Sequence, residues 1–391
     1  MTPLPKIGTA RLAYETGHGS GTEADRGLAR ANSLTIRDCC KTYGAVTAVR
    51  DMSIDVAPGE FLTLLGPSGS GKTTLLMMIA GFVEPTAGDI FVNSRRITLL
   101  PPEKRNFGMV FQGYALFPHM TVAQNIAYPL KIRGTPKAEI AHKVNEALDL
   151  VRLRGMADRL PRQLSGGQQQ RVAIARALVF SPDILLFDEP LGALDRKLRG
   201  EVQLELKRLH AELGATFIYV THDQDEAMTM SDRVAIIDGG RLVQIGAPSE
   251  LYERPNSRFA AAFLGRSAFI DGRLVARHGE EAEIAVGEAR VRHRGPVPPL
   301  ADGAVTLSLR PEKVRIGTEP PERGLNRARG TIESVAYLGA TMEIAVATAE
   351  FGLLLVTAFS AQLGTEPATG TPVWLSWAPE ATVCLPGETA A

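Results

Sequence analysis

The sequence predicts an α/β fold followed by a small, barrel-like all-β domain, on three observations. Gly66-Pro67-Ser68-Gly69-Ser70-Gly71-Lys72-Thr73-Thr74 places four residues between Gly66 and Gly71, the second followed by Lys-Thr. It lies between a short apolar run, Phe61 to Leu65, and an unbroken apolar stretch, Thr73 to Ala80, which is the order strand, loop, helix. Ile184 to Phe187 is a second apolar run that ends in Asp188-Glu189-Pro190, as a buried parallel strand with carboxylates at its C-terminal edge would. From about Arg266 the composition shifts to short alternating stretches separated by Gly, Pro and charged turns, the pattern of an all-β domain.

The totals agree. A chain of 391 residues suits two domains or three, and 45% apolar content is enough for large cores. Formal charge is zero, so nothing in it points to a nucleic-acid partner. The three cysteines, Cys39, Cys40 and Cys384, fit a reducing compartment, since adjacent strand residues face opposite ways and make a poor disulfide or metal site. Met1 to Asn32 is polar and rich in glycine and charge, so it reads as a loosely ordered tail and not as a signal peptide. No apolar run approaches membrane-spanning length, so work at a membrane would need spanning helices from another chain.

In chain order, Leu34 to Arg37 alternates, and Met52, Ile54 and Val56 alternate again after Val46 and Val49. This predicts an antiparallel sheet with its turn at Thr42-Tyr43-Gly44. Tyr43 falls at a strand end, partly exposed, and from position alone reads as a strand residue. In the loop that follows, glycines let backbone N–H groups turn inward around a phosphate, and the helix N-terminus adds partial positive charge. Lys72 then reaches the β- and γ-phosphates, and the Thr73 hydroxyl ligates Mg²⁺. A glycine-rich turn with a chance lysine is the bland alternative, and the flanking strand and helix argue against it.

Thr86 to Val92 is a further short strand, Pro101-Pro102 a link, and Phe107 to Gln112 an apolar run ending in a lone amide. Residues 121 to 160 are helical in composition, with Ile140, Val144, Leu148 and Val151 on one face. Leu164 to Arg171 breaks that pattern and starts a helix through Leu178, with Ser165 as its N-cap. Arg196 to Leu213 is an amphipathic helix. Thr216 to Val220 is a buried strand ending in Thr221-His222-Asp223. Val234 to Ile237 and Arg241 to Ile245 form a hairpin, and Phe259 to Leu264 closes the first domain. The second domain carries strand-like stretches at 282–286, 305–309, 330–335, 342–346, 352–356 and 373–377. Trp374 and Trp377 face opposite sides of the last, so at least one is core.

Asp188 supplies a carboxylate for Mg²⁺, and Glu189, facing differently, can act as general base on a water. His222, at the end of another central strand, is placed to touch a γ-phosphate. A lone histidine is also a common structural residue, and the residues alone leave both readings open.

Leu164-Ser165-Gly166-Gly167-Gln168, between the phosphate loop and Ile-Leu-Leu-Phe-Asp-Glu-Pro, resembles the signature motif of ATP-binding-cassette (ABC) ATPases. The chain is similar to the nucleotide-binding subunit of a bacterial ABC importer over about Leu34 to Leu264, and more loosely beyond. The resemblance implies a P-loop NTPase with a mixed sheet core, an antiparallel β subdomain and a helical subdomain. It divides the chain into a tail over 1–32, a nucleotide-binding domain over 33–265 and an accessory β domain of the TOBE type over 266–391. It implies ATP and Mg²⁺ as ligands, held by Gly66 to Thr74. Tyr43 resembles the aromatic that stacks on adenine, which reverses the reading from position. Gln112 resembles the glutamine that senses the γ-phosphate and Mg²⁺, Glu189 the general base, and His222 the switch histidine. Leu191 to Asp195 resembles the loop linking the two sites of a dimer, with Gly192 where many relatives have serine; the role of Asp195 stands.

In this family Ser165, Gly166, Gly167 and Gln168 cap the ATP held by a second copy, giving a head-to-tail ATP-sandwich homodimer. Two membrane-spanning permease subunits and a separate solute-binding protein complete the system, with the ATPase peripheral to the cytoplasmic face of the membrane. Tyr114 to His119 is expected to contact the permease through exposed Leu116 and Phe117. Ser308 to Arg315 resembles the Arg-Pro-Glu segment of the accessory domain in sugar, polyamine and ferric-iron importers. The ending from Val373 to Pro386 is most similar to the spermidine/putrescine branch, so the expected cargo is a polyamine, with ferric iron, a sugar or another small solute as alternatives. A soluble ABC ATPase acting on ribosomes or DNA is the competing class. Ribosomal members carry two cassettes, whereas this chain has one phosphate loop, and no long heptad coil of the DNA-repair kind is present.

Overall fold

Every side chain of the strands Phe61–Leu65, Ile184–Asp188 and Thr216–Thr221 is buried. Strands covered on both faces belong inside a sheet flanked by helices. The computed structural model describes residues 31–192, 195–299, 303–362 and 367–386. It orders six strands as Arg241–Gly246, Arg233–Asp238, Phe61–Leu65, Thr216–Thr221, Ile184–Asp188 and Phe107–Val110. Five are parallel, and Arg241–Gly246 returns antiparallel as the expected hairpin. Of the tail expected over 1–32, only Ala31 and Asn32 are among the described residues, and Ala193 and Leu194 of the Leu191–Asp195 loop also lie outside them.

A second sheet, ordered Val46–Val56, Leu34–Tyr43, Ala87–Val92, Arg95–Arg96, is antiparallel. The alternation at Leu34, Ile36, Met52, Ile54 and Val56 turns those residues inward, where they meet Leu75, Leu76 and Ile79 of the helix Lys72–Ala80 in one core. Cys39 joins that core, and burial pushes its thiol up to about 11. Cys40, one residue on, is only half-buried, and both are free thiols. The helices Val122–Ile132, Lys137–Leu150 and Gly166–Leu178 form a separate cluster around Ile126, Val144, Leu148 and Val172, with Ile140 at its edge. No helix among the described residues is long and apolar enough to cross a membrane.

Beyond Leu264 the chain forms two five-stranded antiparallel sheets around one core that includes Ile284, Leu307, Ile332, Val346, Leu375 and Trp377. Trp377 is buried and Trp374 half-buried. Four of these strands, Ala268–His278, Ala289–Arg294, Arg315–Gly317 and Thr382–Pro386, lie outside the stretches predicted from sequence. Ala268–His278 buries only Ile270, Ala289–Arg294 alternates arginine with Val291 and His293, and Thr382–Pro386 is short.

The Arg-Pro-Glu segment is the junction between the two regions. Buried Arg310 donates to the carbonyls of Ala261 (2.9 Å), Tyr252 (3.2 Å) and Arg266 (3.3 Å), with its guanidinium 4.1 Å from the Tyr252 ring centre. The Tyr252 hydroxyl donates to Glu312 at 2.7 Å, and Lys313 pairs with Glu253.

Candidate functional site

The loop from Gly66 to Thr74 is shaped by what a side chain would hit. A Cβ at Gly66 would stand 2.1 Å from the Ile237 carbonyl oxygen, and one at Gly71, whose φ is +98°, would stand 2.2 Å from that of Ala48. Only glycine fits either place. Gly71 caps the helix Lys72–Ala80 without a side-chain acceptor, so the first-turn N–H groups face the loop interior. Lys72, 4% exposed, donates to the carbonyls of Gly66 (2.8 Å) and Pro67 (2.9 Å). Burial holds its ammonium below the usual lysine range, while Glu189 and Asp188 pull the other way. The buried Ser70 hydroxyl has no partner among the described residues. A loop of backbone donors with a lysine and an orphaned hydroxyl fits a polyphosphate.

Thr73 Oγ1 donates to Asp188 Oδ1 at 3.2 Å. Burial raises the Asp188 carboxyl; the Thr73 hydrogen bond and Lys72 work against that, and neighbouring Glu189 adds to it. A hydroxyl and one carboxylate suit a hard cation that takes its other ligands from water and phosphate. The described residues contain no cluster of three or more His, Cys, Asp or Glu that could hold a metal by itself.

Glu189 follows that strand with φ +43°, a costly conformation for a residue that also precedes proline. Its backbone N–H donates to Val220 at 3.0 Å. Its Oε2 lies 3.2 Å from His222 Nδ1 and 3.5 Å from Gln112 Nε2. Asp188, Glu189, His222 and Gln112 therefore meet at the C-terminal edge of three neighbouring parallel strands, where open α/β sheets bind ligands.

Behind His222 lies a network that the residue-level reading missed. Buried Glu226 accepts from Tyr219 (2.9 Å) and Thr221 (2.7 Å), and burial raises its carboxyl. Asp223 caps its helix through Glu226 N–H and pairs with Arg199 at 2.8 Å. The Asp-x-x-Glu spacing after a strand was the available signal.

Tyr43 is half-exposed at the end of Leu34–Tyr43, with Lys41 Nζ 5.1 Å from its ring centre. Its hairpin reaches the phosphate loop, since Ala48 lies against Gly71. Ser165 is the N-cap of Gly166–Leu178 in a reciprocal box, accepting from Gln168 N–H while the Gln168 amide oxygen accepts from Ser165 N–H. Among the described residues no hydrogen bond or ion pair joins Ser165 to Gln168 with Gly66 to Thr74. Asp195 caps Arg196–Leu213, accepting from Leu198 N–H at 3.0 Å. Gly192 is exposed.

One expectation is corrected. Leu116 and Phe117 are half-buried, not exposed. Leu116 packs into two cores, and Phe117 lies 4.6 Å, centre to centre, from Tyr128. Phe117 nonetheless lines a groove of about 540 Å³ with Phe82, Phe111, Tyr128, Ile132 and Phe180, and Phe82 and Ile132 are exposed there.

The ABC transporter family matches residues 49–192, and the TOBE domain family matches residues 307–385. The chain is 45% identical to a spermidine/putrescine import ATP-binding protein (PotA) of Thermobifida fusca, over 97% of this chain and all of that one. It is 48% identical to the protein of the same name in Acidothermus cellulolyticus, over 89% and 92%. An Fe(3+) ions import ATP-binding protein (FbpC) of Agrobacterium fabrum is 46% identical over 84% and 91%. Among solved structures, cbiO1 of Clostridium perfringens, described as part of the ABC transporter complex cbiONQ, superposes with a TM-score of 0.53. It is 30% identical, over 56% of this chain and 89% of that one. With relatives matched from end to end at this identity, the chain belongs to the ATP-binding subunits of ABC import systems, enzymes that hydrolyse ATP.

Proposed function

We propose that this chain, through a nucleotide-binding domain over 33–265 and an accessory β domain over 266–391, drives uptake of a polyamine of the spermidine/putrescine kind. The observation that carries this reading is the end-to-end match to the Thermobifida fusca protein, which includes the β domain.

The loop Gly66 to Thr74 binds the ATP phosphates through backbone N–H groups and Lys72, and Tyr43 stacks on the adenine. Mg²⁺, when bound, neutralises charge on the β- and γ-phosphates. Thr73, Asp188 and Gln112 would hold it. Glu189 takes a proton from the water that attacks the γ-phosphorus, as the bond from that phosphorus to the ADP oxygen breaks. His222 fixes the Glu189 carboxylate and faces the γ-phosphate. A second copy completes the site with Ser165, Gly166, Gly167 and Gln168, and Asp195 lies at the contact between the two sites. The dimer docks its aromatic grooves on two permease subunits from the cytoplasmic side, and a separate solute-binding protein selects the cargo.

The test is uptake into proteoliposomes holding the chain with its permease and binding protein. ATP-dependent entry of labelled spermidine or putrescine supports the proposal. Entry of ferric iron alone moves the assignment to the second reading, which the Agrobacterium fabrum relative favours.

A further inference from the structure

The residue after Gln112 begins a turn that the chain does not adopt by preference. Tyr114 and Ala115 both have left-handed backbone, at φ +58° and +46°. Consecutive non-glycine residues in that region persist only where their surroundings hold them. Tyr114 is itself buried in the core with its N–H donating to the Phe111 carbonyl at 2.9 Å, and the side-chain hydrogen bonds that hold the turn come from Arg176, on the helix that Ser165 caps. Its Nη1 donates to the Ala115 carbonyl and its Nη2 to the Tyr114 carbonyl, each at 2.7 Å. The guanidinium also lies 5.7 Å from the Phe117 ring centre and lines the aromatic groove. Burial lowers its pKa, and no carboxylate pairs with it among the described residues, so backbone dipoles carry its charge.

The far end of the same loop is fixed separately. Fully buried Asn125 accepts from Phe117 N–H and donates to the carbonyls of Phe117, Met120 and Thr121. With that end anchored, Arg176 adds to the buried Tyr114 ring the side-chain hydrogen bonds that hold the end near Gln112. The fork meets each carbonyl with its own nitrogen, so the guanidinium plane fixes the orientation of the turn, whereas an ammonium would reach both from a single point with no plane to fix.

We propose that Arg176 is a positioning residue for ATP hydrolysis: its fork sets the Tyr114–Ala115 turn, and through it the Gln112 amide beside Glu189, in register with the Ser165-capped helix. This rests on the reading of Gln112 as a working group of the site.

The test is a double-mutant cycle on the purified full chain, with turnover normalised to titrated ATP sites. Arg176→Lys should lower kcat by roughly fivefold to tenfold, the scale of one hydrogen bond of ordinary net strength. KM for ATP should move less than about twofold, since the phosphate loop and Tyr43 are untouched. In a Gln112→Ala background the same substitution should change kcat by less than about twofold, because its route is gone. An equal fold-loss in both backgrounds is what a merely structural arginine gives, and it overturns the proposal while leaving Gln112 in place. Parental turnover in Gln112→Ala alone removes Gln112 from the site, and the proposal with it. Should Arg176→Lys fold poorly, Arg176→Gln takes its place in the cycle. Hydrogen exchange adds a local readout: faster exchange at 113–118 with 66–74 unchanged supports the fork, and unchanged or uniformly faster exchange overturns it.

Discussion

His222 Nδ1 stands 3.2 Å from Glu189 Oε2, the two residues following neighbouring parallel strands. Gln112 reaches the same oxygen from a third strand end at 3.5 Å. A carboxylate gripped at one oxygen leaves the other free to meet a water, which is the arrangement a general base needs. Its cost is the left-handed backbone of Glu189.

His222→Ala should therefore lower kcat by about a hundredfold, the lower end for a group assisting acid–base chemistry. KM for ATP should stay near the parental value, because the phosphate loop and Tyr43 lie elsewhere. Steady-state kinetics check this, and a rise in KM with kcat unchanged would place His222 in ground-state binding only.

Asp188 makes a prediction in the opposite direction. Its carboxyl is raised from 3.8 in the folded protein, chiefly by burial. The folded state therefore holds this proton more tightly than the unfolded chain, and stability falls as pH rises through the window from 3.8 to the raised value. Above that window the burial cost is fully present, and below 3.8 it is absent. Asp188→Asn keeps an acceptor for Thr73 and removes the charge. It should raise the thermal midpoint of the ligand-free protein at neutral pH, with the gain vanishing in acid, while Mg²⁺-dependent ATP turnover is lost. A lower midpoint at neutral pH would mean that attraction to Lys72 outweighs burial.

Arg310→Ala should loosen the junction between the two regions. It strips donors from three carbonyls, those of Ala261, Tyr252 and Arg266. Buried charge-assisted bonds of this kind are worth about 3 kcal/mol together once unsatisfied acceptors are counted. Urea unfolding should show that loss, with KM for ATP unchanged; a stability within about 0.5 kcal/mol of the parent would make the clamp incidental.

The phosphate loop, the Asp188–Glu189 strand end and the Ser165 cap were legible because each is local: a strand, a turn and a helix within a dozen or so residues carry the whole signal. The convergence of Gln112, Glu189 and His222 is different. Each was readable as a polar residue ending an apolar run, but which ends meet depends on strand order, and that is set by long-range pairing. Leu116 and Phe117 were misread for the same reason, because Tyr128 and two separate cores cover them. The arginines were the least legible. Arg176 and Arg310 bind backbone carbonyls 61 and 49 residues away, and a carbonyl, present at every residue, leaves no mark in a sequence.

The most direct test of the account is ATP turnover by Glu189→Gln, measured beside ATP binding and self-association by analytical ultracentrifugation. The amide keeps the size of the side chain and cannot take a proton from water. Turnover should fall by at least about a hundredfold, the contribution of a positioned general base, with ATP binding retained and a dimer accumulating only when ATP is present. Turnover near the parental rate would contradict the account and remove Glu189 from the centre of the site.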